Sequence, residues 1–290
     1  MDYKKHVRID LHIHSTASDG TLTPQEILTQ AQNLQLGAIA ITDHDTLDGS
    51  KNALSIGIPS SVKFLTGVEI SSEPPPSFSS AGSFHILGYA VDVDHPQLNH
   101  TLSMLRDSRK RRNPQILKLL SHFGIEITLD EVLNLAGNSQ LGRPHIAQLM
   151  VKKGYVPSID AAFDEYLGNG KPAYVDRFRF ECEDTIKAIL KAGGIPVLAH
   201  PILLGIKEND ILEDMIAVLT EMGLKGIEVY YPEHTKNLIE YYSRLASHYN
   251  LLMTGGTDFH GDIKPEIKMG IGKGNFFVPY ELYEKLISSL

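Results

Sequence analysis

The sequence is poor in cysteine, in long apolar runs, in repeats and in excess positive charge. Its single cysteine, Cys182, rules out an internal disulfide and leaves no thiolate cluster for zinc, so any metal must be held by nitrogen and oxygen. No apolar run is long enough to cross a bilayer. The opening Met1-Asp2-Tyr3-Lys4-Lys5 leads into a short alternating segment rather than the apolar core of a signal peptide, so a soluble, cytoplasmic chain with no membrane partner is expected. No internal repeat of solenoid length is visible. Lys and Arg number 27 against 35 Asp and Glu, a net charge of −8, which argues against a protein that lies along duplex nucleic acid. A small anion captured by a local basic cluster stays compatible with that balance. With 42% hydrophobic residues over 290 positions, the chain can build one large α/β domain, or one with an insertion, and is neither disordered nor fibrous.

Short β-branched runs alternate with helical patterns, the signature of a largely parallel sheet. Strands are expected near 7–14, 38–43, 62–70, 84–91, 195–199, 226–231 and 251–257, and seven strands suggest an incomplete or distorted barrel. Helices are expected over 24–36, where Thr23 caps, Pro24 takes the first position and Gly37 closes, and over 210–222 and 235–248. From 96 to 192 the pattern is helical throughout, with turns at Gly124, Gly154 and Gly168-Asn169-Gly170. Residues 1–104 and 181–290 are therefore read as the barrel and 105–180 as a helical insertion covering its mouth. The Pro- and Ser-rich stretch 73–83 is expected to be irregular and mobile.

Thirteen histidines are many for this length, and their placement carries the chemistry. In Asp10-Leu11-His12-Ile13-His14, alternation puts both imidazoles on one face of a strand and Leu11 and Ile13 on the other, with Asp19 following in a turn. Taken alone, the pair is equally compatible with hydrogen-bonded strand histidines. The pattern then recurs. His44 ends the second strand, Glu69 the third, His200 the fifth and Asp258-Phe259-His260 the last, while His85 begins the fourth. Strand ends of such barrels converge on one mouth, and six histidines with three carboxylates are not expected to arrive there independently. The position of His85 implies a misplaced boundary or an antiparallel strand. Asp45 is read as the N-cap of the next helix, and Asp43 as a turn residue or an acceptor orienting an imidazole.

Closely spaced divalent cations suit phosphate ester hydrolysis, because they make hydroxide available at neutral pH and stabilise charge on the attacking and leaving oxygens, with no protein nucleophile required. Imidazole and carboxylate ligation without thiolate suits Mn, Fe or Zn. Outside the barrel, Gly142-Arg143-Pro144-His145 places a guanidinium and an imidazole at a helix start, where a phosphate could bind, although by spacing alone a surface Arg and an exposed His are the more common outcome. Arg112 and Lys171 are further candidates, although a charge run on a helix is more often a solvated face.

The motifs DLHIHSTASDG, AITDHDTLDG, GVEIS, FHILGY, GRPHIA, PVLAHP and GGTDFHG span nearly the whole chain. Together they resemble the PHP (polymerase and histidinol phosphatase) superfamily, most closely its nucleoside 3′,5′-bisphosphate phosphatase and RNase AM-like branch. The resemblance implies a distorted seven-stranded barrel holding three ions, with manganese the first choice. It implies His12, His14, Glu69 and Asp258 around one ion, Asp19, His44 and His260 around another, and His85 with His200 around a third, Glu69 bridging. The activity it implies is hydrolysis of the 3′-phosphate of a nucleotide such as pAp, giving AMP, or stepwise 5′–3′ cleavage of short 5′-phosphorylated oligonucleotides by a metal-bound hydroxide. Arg143 and His145, with Arg112 and Lys171, would hold the second phosphate. Two alternatives stay open: a histidinol-phosphate phosphatase, which needs no nucleotide grip, and a non-catalytic, metal-stabilised module, which would have lost ligands; an amidohydrolase would carry a bridging lysine, and none stands at a matching strand end.

Overall fold

The computed structural model describes residues 7–78, 82–137 and 140–290, so the opening pentapeptide and part of the 73–83 stretch lie outside the described residues. Strands β1 (Ile9–Ile13), β2 (Ala38–Ile41), β3 (Lys63–Glu73), β4 (His85–Tyr89), β6 (Ile195–Leu198), β7 (Gly226–Tyr230) and β8 (Leu252–Gly255) follow one another in a single sheet. Backbone bonds from His14 N–H to the Phe259 carbonyl (2.9 Å) and from Phe259 N–H to the His12 carbonyl (3.3 Å) join its two ends. The result is a nearly closed seven-stranded barrel, as the strand count anticipates.

Neighbouring strands are parallel except around β4, which runs antiparallel to both β3 and β6. That settles the position of His85. The start of an antiparallel strand lies at the same rim as the ends of its parallel neighbours.

Helices α1 (Pro24–Asn33), α2 (Asp48–Ile56), α7 (Cys182–Lys191), α8 (Asn209–Glu221), α9 (Lys236–His248) and α10 (Tyr280–Ser288) surround the barrel. Thr23 is the N-cap, as expected, and Glu26 completes a capping box with it. The helix stops at Asn33, ahead of the expected 36, because Gln35 turns left-handed at φ 54°. Gly37 serves a different end: a Cβ there would lie 2.3 Å from Val7 Cγ1 and 2.7 Å from the Tyr280 ring. The Asp45 expectation also fails, since the N-cap of α2 is Leu47, without a side-chain bond.

Between β4 and β6 the chain forms α3 (Pro96–Ser121), α4 (Leu129–Ala136), α5 (Arg143–Lys152), α6 (Ile159–Ala162) and a π-turn at Phe163–Leu167. Gly124, Gly154 and Gly170 make the expected turns at φ between 73° and 76°. Helix α3 is shared between two cores. Leu98, Leu102 and Leu105 pack with β3, β4, α7 and α8, whereas Ile116, Leu117 and Leu120 pack with Val132, Ile146, Met150 and Leu167. One strand interrupts the helical stretch: β5 (Phe180–Glu181) pairs parallel to the end of β3. Two residues are too few for alternation to register in a sequence. No helix among the described residues is long and apolar enough to cross a membrane.

Candidate metal centre

All nine expected side chains meet at the barrel mouth. Glu69 is the hub: Oε2 lies 2.9 Å from His44 Nδ1, 3.2 Å from His14 Nε2 and 3.5 Å from His12 Nε2, while Oε1 lies 2.7 Å from His85 Nδ1 and 2.8 Å from His200 Nε2. Asp258 Oδ1 lies 3.2 Å from His14 Nε2 and 3.5 Å from His12 Nε2. Asp19 reaches His260 Nε2 at 3.5 Å, His14 Nδ1 at 3.6 Å and His44 Nε2 at 3.9 Å. Three groups of ligand atoms are close enough to share an ion: His12, His14, Glu69 and Asp258; His14, Asp19, His44 and His260; and His44, Glu69 and His85.

The fit to cations rests on what these atoms lack. Among the described residues, His12 Nε2, His14 Nε2, His44 Nδ1, Glu69 Oε2 and Asp19 Oδ1 are buried without a hydrogen-bond partner, although an orphaned buried polar atom costs about 1–3 kcal/mol. Burial alone would raise the pKa of Glu69, Asp19 and Asp258, yet His44 acts first on Glu69 and Asp19, and Lys264 on Asp258, to hold all three well below the carboxylate range. Burial also opposes charge on His14, but Asp258 and Glu69 lift it to about 10. Protons on His12 and His14 thus offset part of the charge of three buried carboxylates, whereas burial pushes His260 down and His85 down to about 4. A cation bound there displaces those protons, which makes affinity pH-dependent.

A profile of the PHP domain family matches residues 10–289. The chain belongs to the PHP family.

Within it, this PHP domain is 32% identical over 253 residues to a 3′,5′-nucleoside bisphosphate phosphatase of Chromobacterium violaceum, covering 87% of each chain. It is also 32% identical to a 5′-3′ exoribonuclease of Haemophilus influenzae, covering 87% of this chain and 90% of the relative. A phosphoribosyl 1,2-cyclic phosphate 1,2-diphosphodiesterase of Eggerthella lenta is 31% identical, with 87% of this chain and 94% of that one covered. Among solved structures, one from Bifidobacterium adolescentis, described as that of a metal-dependent phosphoesterase, superposes with a TM-score of 0.82 at 29% identity and covers 98% of this chain and 96% of that one.

Several residues around the PHP centre escape sequence reasoning. Glu228, buried in β7, accepts from His12 Nδ1 (3.0 Å) and from the His200 backbone N–H (2.8 Å), so it orients one imidazole and pins another. A lone charge in the apolar run Gly226–Tyr230 is the signal that could have found it. Asp10 accepts from the Thr257 N–H (2.9 Å) and hydroxyl (2.6 Å) and from the Gly270 N–H (2.8 Å), tying β1 to the loop that carries Asp258. Asp43, by contrast, is expected from the sequence as a turn residue or an acceptor orienting an imidazole: it takes the Ser15 N–H (2.8 Å) and the Ser18 hydroxyl (2.6 Å), and that hydroxyl sits 3.4 Å from His14 Nδ1, so Asp43 reaches an imidazole through Ser18. Asp45, His200 and Asp258 are non-glycine residues at φ 53°, 24° and 53°. Strain of this kind costs about 1–3 kcal/mol each and persists where neighbours hold the residue in place.

Above the centre stands a group of guanidiniums. Asp45 Oδ2 receives Arg109 Nη2 at 2.7 Å and Arg177 Nη2 at 3.4 Å, drawing one arginine from α3 and one from the approach to β5. Arg112 is buried, donating from Nη2 to Asn113 Oδ1 at 2.9 Å, and burial with nearby Arg109, Arg143 and Arg177 pushes its pKa down to about 8. Arg143 opens α5, bonds the Leu167 carbonyl at 2.8 Å and lies over the rings of Phe163 and Tyr174 at 5.6 and 5.5 Å. His145 Nδ1 accepts the Gly142 N–H at 3.2 Å, which leaves Nε2 as the donor. A Cβ on Gly142 would lie 3.8 Å from Arg109 and 3.9 Å from Asp19, so this loop touches the centre. Lys171 is exposed, and its side chain makes no hydrogen bond or ion pair among the described residues.

Proposed function

We propose that this PHP domain is a phosphoesterase that binds three divalent cations, manganese preferred, and removes the 3′-phosphate of a nucleoside 3′,5′-bisphosphate or cleaves the first linkage of a short 5′-phosphorylated oligonucleotide. The cytoplasmic nucleotide pool is the setting this reading implies. His12, His14, Glu69 and Asp258 hold one ion, Asp19, His44 and His260 a second, and His85 with His200 a third, Glu69 bridging. Such ions lower the pKa of a shared water and offset charge on the attacking and leaving oxygens.

The observation that carries the reading is the set of five orphaned, buried ligand atoms lying beside a cationic group that has too few acids. Residues 105–180 act in this proposal as the cover that brings Arg112, Arg143 and His145 over the mouth to grip the second phosphate. With Nδ1 occupied, His145 meets that phosphate through its Nε2 proton. Gripping one phosphate while the cations hold the other makes positioning part of catalysis. The names of the relatives from C. violaceum and H. influenzae favour nucleotides.

The test is hydrolysis, read as inorganic phosphate from pAp, phosphoribosyl 1,2-cyclic phosphate and histidinol phosphate and as nucleoside monophosphate from a 5′-phosphorylated diribonucleotide, after chelation and after adding back Mn2+. Turnover of pAp and the diribonucleotide, lost on chelation and restored by Mn2+, is expected, with His14→Ala folded and inactive. Full activity in His14→Ala sinks the metal reading. A preference for histidinol phosphate or the cyclic phosphate sinks the nucleotide reading alone.

A further inference from the structure

The two oxygens of Asp258 are divided between different tasks. Oδ1 faces the histidines of the centre, at 3.2 Å from His14 Nε2 and 3.5 Å from His12 Nε2 and His260 Nδ1. Oδ2 is taken by protein donors, Lys264 Nζ at 3.1 Å and the Tyr231 hydroxyl at 3.2 Å. Lys264 is placed by the 3-10 turn Gly261–Ile263 that directly follows His260, and its N–H bonds the Gly261 carbonyl at 3.3 Å. Its side chain, 40% exposed, lies on the wall of a cavity of about 140 Å³ shared with Tyr231, Glu233, Thr257 and Lys273. A carboxylate with both oxygens unclaimed can offer an ion either one of them or both. One whose second oxygen is bound to an ammonium and a phenol offers a single oxygen.

We propose that Lys264, assisted by Tyr231, is a positioning residue that holds Asp258 as a one-oxygen ligand and keeps a fixed positive charge beside the centre, so that the bound cation is held less tightly and stays electron-poor. The inference rests on the cluster being a metal site. Lys264 acts through Asp258, not on substrate. Its cation repels a divalent ion placed against Oδ1, and its loss frees Oδ2 for that ion. Both changes favour tighter binding. A residue needed only for folding has the opposite signature, because a disordered Asp258 binds an ion worse.

The experiment is titration of Mn2+ into chelator-stripped full-length protein against a chromophoric chelator, at one pH and salt concentration, for wild type, Lys264→Met, Lys264→Arg and Tyr231→Phe. Lys264→Met is expected to bind at least one Mn2+ about ten-fold tighter than wild type, the order for losing a partly solvated unit charge a few ångströms from a divalent ion. Lys264→Arg, which keeps the charge, stays near wild type, and Tyr231→Phe shifts affinity in the same direction by a smaller factor. In pAp turnover, Lys264→Met lowers kcat and leaves KM unchanged. Equal or weaker Mn2+ affinity in a Lys264→Met protein with an unaltered metal-free melting temperature overturns the inference, and so does a change confined to KM. Should Lys264→Met fail to fold, Tyr231→Phe decides, and no tightening there overturns the inference. Wild-type protein that takes up no Mn2+ overturns the metal reading itself, a result distinct from all of these.

Discussion

Replacing Asp45 by asparagine removes the charge to which two arginines are tied. Asp45 is fully buried, takes Arg109 Nε at 2.8 Å and Nη2 at 2.7 Å on Oδ2, and takes the Ser71 N–H at 2.9 Å on Oδ1. Burial pushes its pKa up, but Arg109, then Arg177 and His44, bring it from an ordinary 3.8 to about 2. That depression corresponds to about 2 kcal/mol of stability. The sign follows from its direction: with the folded pKa below the unfolded one, the contribution is complete above pH 3.8 and is lost as pH falls towards 2. In the variant the Arg109 and Arg177 side chains, only 9% and 6% exposed, keep their charges with a neutral amide for a partner. Breaking one side of such a buried pair costs about 3–5 kcal/mol. Urea denaturation of the metal-free proteins is the assay. At pH 7 Asp45→Asn is expected to be less stable by about 3 kcal/mol, and at pH 3 the gap narrows by about 1 kcal/mol as the wild-type carboxylate loses its advantage. Adding Arg109→Met recovers part of the loss, since fewer unpaired charges stay buried. A gap at pH 7 below about 1 kcal/mol, or one that ignores pH, refutes the argument.

Glu228→Gln weakens the hold on His12 and is expected to lower Mn2+ affinity about 10–100-fold, as measured by chelator competition, because the carboxylate that orients the imidazole is gone. Arg112→Met raises KM for pAp about 10–100-fold, the value of one charge-assisted contact, while KM for 3′-AMP, which lacks the second phosphate, stays put. Metal-free stability of the same variant is unchanged or higher in urea, because among the described residues the buried Arg112 guanidinium has only Asn113 Oδ1 as a hydrogen-bond acceptor. Burial holds the His145 pKa below its ordinary 6.5, so the stability this neutral imidazole contributes is present above pH 6.5 and falls away as the unfolded chain takes up protons below it. Denaturation at pH 7 and pH 5.5 is expected to show His145→Gln losing less on acidification than wild type, and equal losses would argue against a buried neutral histidine.

The candidate ligands were readable because most stand where an apolar run breaks at a strand end, while His12 and Glu69 lie within β1 and β3 and Asp19 in the turn after β1, and barrel geometry brings them to one place. The fourth strand's direction was half-legible, since a ligand at its start made sense only if the strand reversed. What the sequence could not carry were contacts made by chain segments far apart. Asp45 has the residue type and position of a helix cap, and only the crossing of α3 and the approach to β5 over the mouth turn it into an anchor for Arg109 and Arg177. Lys264 and Tyr231, 33 positions apart in number, meet on one oxygen of Asp258 for the same reason. Glu228 was within reach, as a charge amid apolar strand residues that wanted an explanation. The two-residue β5 was not, because pairing with β3 creates it.

The reversal of β4 also decides where this architecture can change. Parallel neighbours must be linked by a segment that travels the length of the barrel, so altering such a link disturbs the helical shell. The β3–β4 pair returns at the rim itself, and its connector, 74–84, leaves β3 after Glu73 and ends beside His85. Residues can be added to or removed from that hairpin while every ligand-bearing strand keeps its register. The rim above the candidate metal centre is therefore a place where the chain can vary in length without rebuilding the centre, whether by natural variation or by design.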